Sequence, residues 1–243
     1  MSSKIILYDL PCKTAAGQPY RCWSPNVWKT RLVLNYKKIP YQTEWLKHAE
    51  IEPTLSALGI TPTPVKYTVP AIKQTDGTGV MDSAAIAPVL EKHVPQPSLH
   101  LENNLHNQLG PLVGRSLGPL MPVIYAQIGR AIILESYVEE WKKGKEAAFG
   151  CTMEEYEERE GGEKAWKTAE PGFKAMGEFM QQNKKEDGPF VLGSQVCYAD
   201  FVLAALVECV SKLGGGLYER IVALEPQLKA LHDACKPWLE NDQ

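Results

Sequence analysis

The chain has 243 residues, of which 44% are hydrophobic and 23% charged, and its formal net charge is -3. This length supports one large domain or two compact ones, and two fit the composition better. With no long basic run and no apolar stretch of membrane length, nucleic acid and membranes are not expected partners.

The first ten residues, Met1 to Leu10, hold one lysine and a short apolar stretch that runs into Asp9, Pro11 and Cys12, unlike a secretory leader. Six cysteines (Cys12, Cys22, Cys151, Cys197, Cys209, Cys235) lack C-x-x-C spacing. They read as free thiols in a reducing compartment, so a cytoplasmic location is expected. His48, His93, His100, His106 and His232 form no ligand pair, which gives a metal site no support. Gly214-Gly215-Gly216 follows an apolar helix and reads as its end, and no phosphate-binding glycine pattern is present.

In chain order, Lys4 to Tyr8 is an apolar run of strand length. A connection from Leu10 to Trp23 follows, carrying Pro11, Gly17 and Pro19. It is longer than the roughly two to six residues usual between strand and helix. It is either one wall of a substrate pocket, with Tyr20 and Trp23 as aromatic contacts, or an insertion without consequence.

Helical periodicity starts at Asn26 and runs to Tyr36, with Ser24 and Pro25 suited to the N-cap and first-turn positions. The Ser24 hydroxyl can cap the helix and also donate its proton to a ligand atom. Asn26 carries an amide donor that reaches the same place, or it is a solvated first-turn residue. Trp28 and Arg31 read as packing or solvating the helix. Cys22 reads as a bystander thiol.

Tyr41 to Leu46 supplies a second strand, and a third begins at Val69-Pro70-Ala71-Ile72, with a hairpin partner near Val80 across Asp76-Gly77-Thr78-Gly79. If the Val69–Pro70 bond is cis, the backbone of Val69 is left to pair with a bound peptide. The same dipeptide also suits a trans proline at a strand edge. Asp82-Ser83 heads a helix reaching about His93. There a helix N-terminus attracts a carboxylate while Asp82 holds an ammonium group; simple capping is the other reading. Proline, turn and acid-hydroxyl pair together read as a socket for a small peptide. Pro88, inside that helix, predicts a local kink or a weakened hydrogen bond.

Val94-Pro95-Gln96-Pro97-Ser98 is a proline-punctuated linker. Beyond it the patterns are helical, including stretches from Arg130 to Lys145 and from Gly162 to Lys185. Between Gly110 and Pro122, glycines and prolines predict a bend or break. Cys197-Tyr198-Ala199-Asp200-Phe201 reads as a capping box with cysteine in the usual hydroxyl position, Asp200 reaching back to the N–H of residue 197 and Val196 packing on Phe201.

The ordered set of Val69-Pro70, Asp82-Ser83 and Ser24-Pro25-Asn26-Val27-Trp28-Lys29-Thr30-Arg31 resembles the glutathione transferase superfamily. The last segment resembles the Ser-Pro-x-x-Trp-Lys/Arg-Thr motif of β-aryl-ether-cleaving transferases and their fungal etherase-like relatives. The resemblance implies an α/β thioredoxin-like domain with a mixed four-stranded sheet over 1–94, a linker at 95–100 and an all-α helical domain over 101–243. It implies glutathione as co-substrate without a metal, Ser24 as stabiliser of its thiolate, and Asn26, Val69, Pro70, Asp82 and Ser83 as its binding residues. Small hydrophobic aromatic electrophiles would meet Tyr20, Trp23, Met121 and Tyr125, with Leu120 and Ile124 as further candidates that ordinary helix packing explains equally. A homodimer is implied as well. The rival expectation is a carrier of aromatic ligands with little or no catalysis.

Overall fold

The structure is a computed structural model that describes residues 4–62 and 66–242. The expectation that the first ten residues are unlike a secretory leader rests partly on residues 1–3, which lie outside the described residues. Backbone packing divides the chain into one unit running through His100 and rejoined from Cys235 onward, and a second from Leu101 to Ala234. The segment from Cys235, expected with the helical domain, thus groups with the first unit.

In the first unit, strands β1 (Ile5–Asp9), β2 (Tyr41–Trp45), β3 (Ala71–Lys73) and β4 (Gly79–Met81) form one sheet in the order β2-β1-β3-β4. β1 and β2 are parallel, joined through helix α1 (Pro25–Tyr36), and the other two pairings are antiparallel. Helix α3 (Ser83–His93) follows β4 and packs on α1. This is the expected thioredoxin-like mixed sheet. Pro88 is exposed and the helix runs through it. Helix α2 (His48–Ala57) was not expected. Only Ile51 and Leu55 of it are buried, one turn apart, and Pro53 sits inside. So narrow an apolar stripe gives little periodic signal.

α1 buries Val27, Arg31 and Leu34, which recur at the i, i+4, i+7 spacing of one face. Arg31 is therefore buried where a hydrophobic residue would normally stand. Its Nη2 lies 2.9 Å from Oδ2 of Asp9, both side chains fully buried. Asp9 Oδ1 accepts from the N–H of Leu10 at 2.7 Å, and Arg31 Nη1 donates to the Tyr41 hydroxyl at 3.2 Å. The rings of Trp28, Tyr41 and Trp45 lie 5.5–6.0 Å from the guanidinium. Burial raises the Asp9 carboxyl above the ordinary carboxylate range, more than adjacent Arg31 lowers it. The pair thus adds little net stability while intact and is costly to break.

The second unit is helical, as expected. It contains α4 (Leu105–Leu117), α5 (Met121–Ala131), α6 (Val138–Phe149), α7 (Met153–Glu160), α8 (Gly162–Asn183), α9 (Tyr198–Ser211), α10 (Leu217–Leu224) and most of α11 (Pro226–Leu239). The predicted break between Gly110 and Pro122 falls at a 3-10 turn, Gly118–Leu120, while α4 runs through Gly110 and Pro111. The helix expected from Arg130 to Lys145 is two helices, because the chain leaves helical geometry between Ala131 and Val138. α4 lies on α8, where a Cβ added at Gly172 would sit 2.5 Å from backbone atoms of Arg115 and Ser116.

The capping box before α9 is present. Asp200 Oδ2 accepts the N–H of Cys197 and Oδ1 the N–H of Val191, each at 2.7 Å. Its side chain therefore ties down the preceding loop as well as the helix start. Burial pushes the Asp200 carboxyl up to about 6, against the pull of those two donors.

Two outcomes follow for stability. Asp9→Asn strands a buried guanidinium and should reduce the urea unfolding free energy by about 3–5 kcal/mol, and Asp9→Leu combined with Arg31→Met should restore most of it. For Asp200, the native pKa lies above the unfolded one. Its contribution is therefore complete at low pH and is lost as the pH rises through about 6. The gap in Tm between wild type and Asp200→Asn should narrow from pH ~4 to pH ~7, by the equivalent of about 2 kcal/mol.

Candidate functional site

β1 runs toward the head of α1, while β3 begins and β4 ends at that same edge of the sheet. Tyr8 pairs with Ala71, and Ala71 pairs with Met81. Val69 and Pro70 before β3, and Asp82 and Ser83 after β4, therefore emerge side by side just past the carboxyl end of β1. Ser24 heads the helix that follows β1. Sheet topology thus brings four of these residues, from two separate stretches of sequence, to one edge.

The Val69–Pro70 bond is cis. Proline has no N–H, but its carbonyl accepts the N–H of Asp82 at 3.0 Å and closes the hairpin. No hydrogen bond among the described residues takes up the N–H of Val69, and its carbonyl receives only the Thr68 hydroxyl at 3.4 Å. One backbone donor thus remains at the edge of the site.

Asp82 has φ +81° and ψ 127°, a region costing a non-glycine residue about 1–3 kcal/mol. One carboxylate oxygen accepts the N–H of Ala84 at 2.8 Å, so Asp82 does cap α3. Capping uses Oδ1 and leaves Oδ2 for a cationic group. Ser83 is buried as the first residue of α3, where helix N–H groups and the dipole favour an anion.

Ser24 occupies the N-cap position of α1, with extended backbone and Pro25 next, as expected. Its side chain, however, makes no cap hydrogen bond. The hydroxyl of this buried serine is not spent on the helix. Asn26 is exposed two residues on, and its Oδ1 accepts from Lys29 Nζ at 2.9 Å. That bond turns the amide so that Nδ2, a donor, is the end left over. Lys29 is a site residue missed in the sequence, where it stood only as a letter in a motif. Burial lowers its pKa while the charge of Asp82 pulls the other way, which places the ammonium in the field of that carboxylate.

The candidates for a hydrophobic second substrate are divided between the two units. Tyr20 is exposed and meets Trp45 edge-on, with ring centroids 5.7 Å apart. Trp23 is half-buried and its indole Nε1, itself buried, has no hydrogen-bond partner among the described residues. In the second unit, Tyr125 touches Trp141 and Phe149, Phe149 stacks on Tyr156 at 4.3 Å, and Lys145 Nζ lies 4.1 Å from the Tyr125 ring. Met121, at the start of α5, is half-buried. Leu120 and Ile124 are buried core residues, which assigns them to packing.

None of the six cysteines forms a disulfide among the described residues. No cluster of potential metal ligands occurs among the described residues, and no described helix is long and apolar enough to cross a membrane.

Comparison with known proteins identifies the family. Residues 23–93 match the glutathione S-transferase N-terminal domain and residues 113–238 the glutathione S-transferase C-terminal domain. The glutathione S-transferase-like protein ustS of Aspergillus flavus is 29% identical over 91% of this chain and 86% of its own. The glutathione transferase GSTFuA3 of Phanerochaete chrysosporium superposes with a TM-score of 0.84 at 26% identity, over 98% of each chain. The glutathione S-transferase CsGST63524 of Ceriporiopsis subvermispora, solved in complex with glutathione, gives 0.83 at 26% identity over 97% of this chain and 98% of its own. The two matched domains cover most of the sequence and contain the residues gathered at the sheet edge, and on that ground the chain belongs to the glutathione S-transferase family.

Proposed function

We propose that this protein is a serine-type glutathione transferase of the etherase-like kind, with Ser24 holding the glutathione sulfur as a thiolate. The observation that carries the reading is the Ser24 hydroxyl. It stands at the N-terminus of α1 and is not used as a cap, and α1 packs on α3, the helix that Asp82 and Ser83 begin. The Val69 backbone would pair with the cysteinyl backbone of glutathione, next to Pro70. Asp82 would take the γ-glutamyl ammonium, and Ser83 with its helix N-terminus the carboxylate. The glutathione bound to CsGST63524 lends the same ligand to this site.

The chemistry needs little beyond position and a proton donor. A free thiol with a pKa of about 8.5 is mostly protonated at neutral pH. A hydrogen bond from Ser24, aided by the amide of Asn26 and the head of α1, favours the anion, and the proton passes to solvent. The thiolate then forms a C–S bond to an electrophilic carbon while the leaving group departs with its electron pair. Hydrophobic aromatic compounds suit Tyr20, Trp23, Met121 and Tyr125, through conjugation or ether cleavage. A homodimer in the cytoplasm completes the proposal.

Calorimetry with reduced glutathione and turnover on a panel of small aromatic electrophiles test the reading. Uptake with turnover supports it, whereas uptake without turnover on any member assigns the protein to ligand carriage. Ser24→Ala should move the pH–rate profile up by about one unit and lower kcat/KM at neutral pH at least ~10-fold, with a smaller effect from Asn26→Ala. The reverse order would make Asn26 the principal donor. Ser24→Cys should acquire a mixed disulfide with glutathione, visible by mass spectrometry; its absence would place residue 24 away from the sulfur.

A further inference from the structure

The segment that delivers Ser24 is held by the C-terminal tail of the same unit. Arg21 Nη1 donates to both carboxylate oxygens of Asp242, at 3.0 and 3.2 Å. The N–H of Cys22 donates to the backbone carbonyl of Asp242 at 2.8 Å. On its other side, the carbonyl of Cys22 accepts the indole N–H of Trp28 at 3.1 Å, and Cys22 and Trp28 are both fully buried. Two residues before Ser24, the chain is therefore gripped from both directions.

The tail has its own anchorage. Asn35 Nδ2 of α1 donates to the carbonyls of Trp238, at 2.6 Å, and Asn241, at 3.0 Å. The Tyr41 hydroxyl of β2 reaches the Asn241 carbonyl at 3.4 Å and donates to Asn35 Oδ1 at 2.9 Å. Tyr36 meets Trp238 edge-on with centroids 5.0 Å apart. Asp242 itself is 6% exposed. An acid with so little access to water, paired to a loop arginine through both carboxylate oxygens, makes a directional tie.

We propose that Asp242 is a positioning residue for Ser24. It fixes the Arg21–Cys22 turn so that the Ser24 hydroxyl is presented at the head of α1 in one place. Asp242 touches neither glutathione nor the electrophile. It matters because a hydroxyl steadies a thiolate only at hydrogen-bond distance, and a misplacement near 1 Å can cost about 100-fold in rate. The glutathione-binding residues at β3, β4 and α3 are independent of this tie. Asp242 should therefore act on thiol ionisation and leave affinity alone. The inference rests on the function proposed above.

The experiment compares wild type, Asp242→Asn, Arg21→Gln and the double variant. The readouts are glutathione Kd by calorimetry, the pH dependence of the bound thiol by ultraviolet absorbance, kcat and KM with a small aromatic electrophile, and Tm. Arg21 has a largely exposed side chain, 58% accessible, so its replacement removes the same ion pair if Asp242→Asn folds poorly. The thiol pKa should rise by about one unit in each single variant, with kcat at neutral pH down ~10-fold and recovering at alkaline pH. Kd should stay within ~2-fold, and the double variant should match the singles, as expected of two partners in one interaction. A lower Tm with an unchanged thiol pKa and pH profile in both single variants would reduce the tail to a stabilising strap and overturn the inference. Wild-type protein that takes up no glutathione would overturn the proposed function together with it.

Discussion

The ion pair between Asp9 and Arg31 is the constraint on which the first unit is arranged. Asp9 closes the central strand β1, Arg31 comes from the inner face of α1, and neither side chain has contact with water. A charge in that position cannot be left alone, so strand and helix must meet where the two groups meet. Arg31 also donates to Tyr41 on β2, which extends the fixation to the neighbouring strand. The long connection between β1 and α1 therefore leaves from a fixed point. With the grip on Cys22 near its far end, it arrives at one too.

Between those points the connection carries little regular structure, yet the residues the chemistry needs lie outside it. Ser24 belongs to the head of a helix and Asp82-Ser83 to the head of another, while Val69 belongs to the entry of a strand. Sites mounted on such ends take most of their geometry from regular elements. Asp82 shows that this placement has a cost, since its backbone is held at a φ that asparagine or glycine would adopt more readily. A carboxylate at that position is retained against conformational preference.

Much of this was legible in the sequence because the signals are short-range. A serine before a proline, a proline opening an apolar run, and an acid-hydroxyl pair after a glycine turn each declare a chain end or bend within a few residues. The mixed four-stranded sheet followed from the family resemblance and from the alternation of strand and helix. What stayed hidden depends on partners far along the chain. Asp242 gains meaning only when the tail returns to residues 21 and 22. Arg31 read as packing or solvating α1, and its buried ion pair with Asp9 was not foreseen, although its spacing from Val27 and Leu34 marked the buried face. α2 escaped notice because its apolar face is two residues wide. The interruption before α6 contains neither glycine nor proline, so nothing local announced it.

The crossing of α4 and α8 has its own logic. At Gly172 the backbone of one helix approaches that of the other so closely that even a methyl group would collide with main-chain atoms. Main chain cannot swing aside as a long side chain does, so a residue of any size at this point would act as a wedge. The spacing of the two rods is thus written in a missing atom, and a lineage wishing to widen the gap between them would need only one codon.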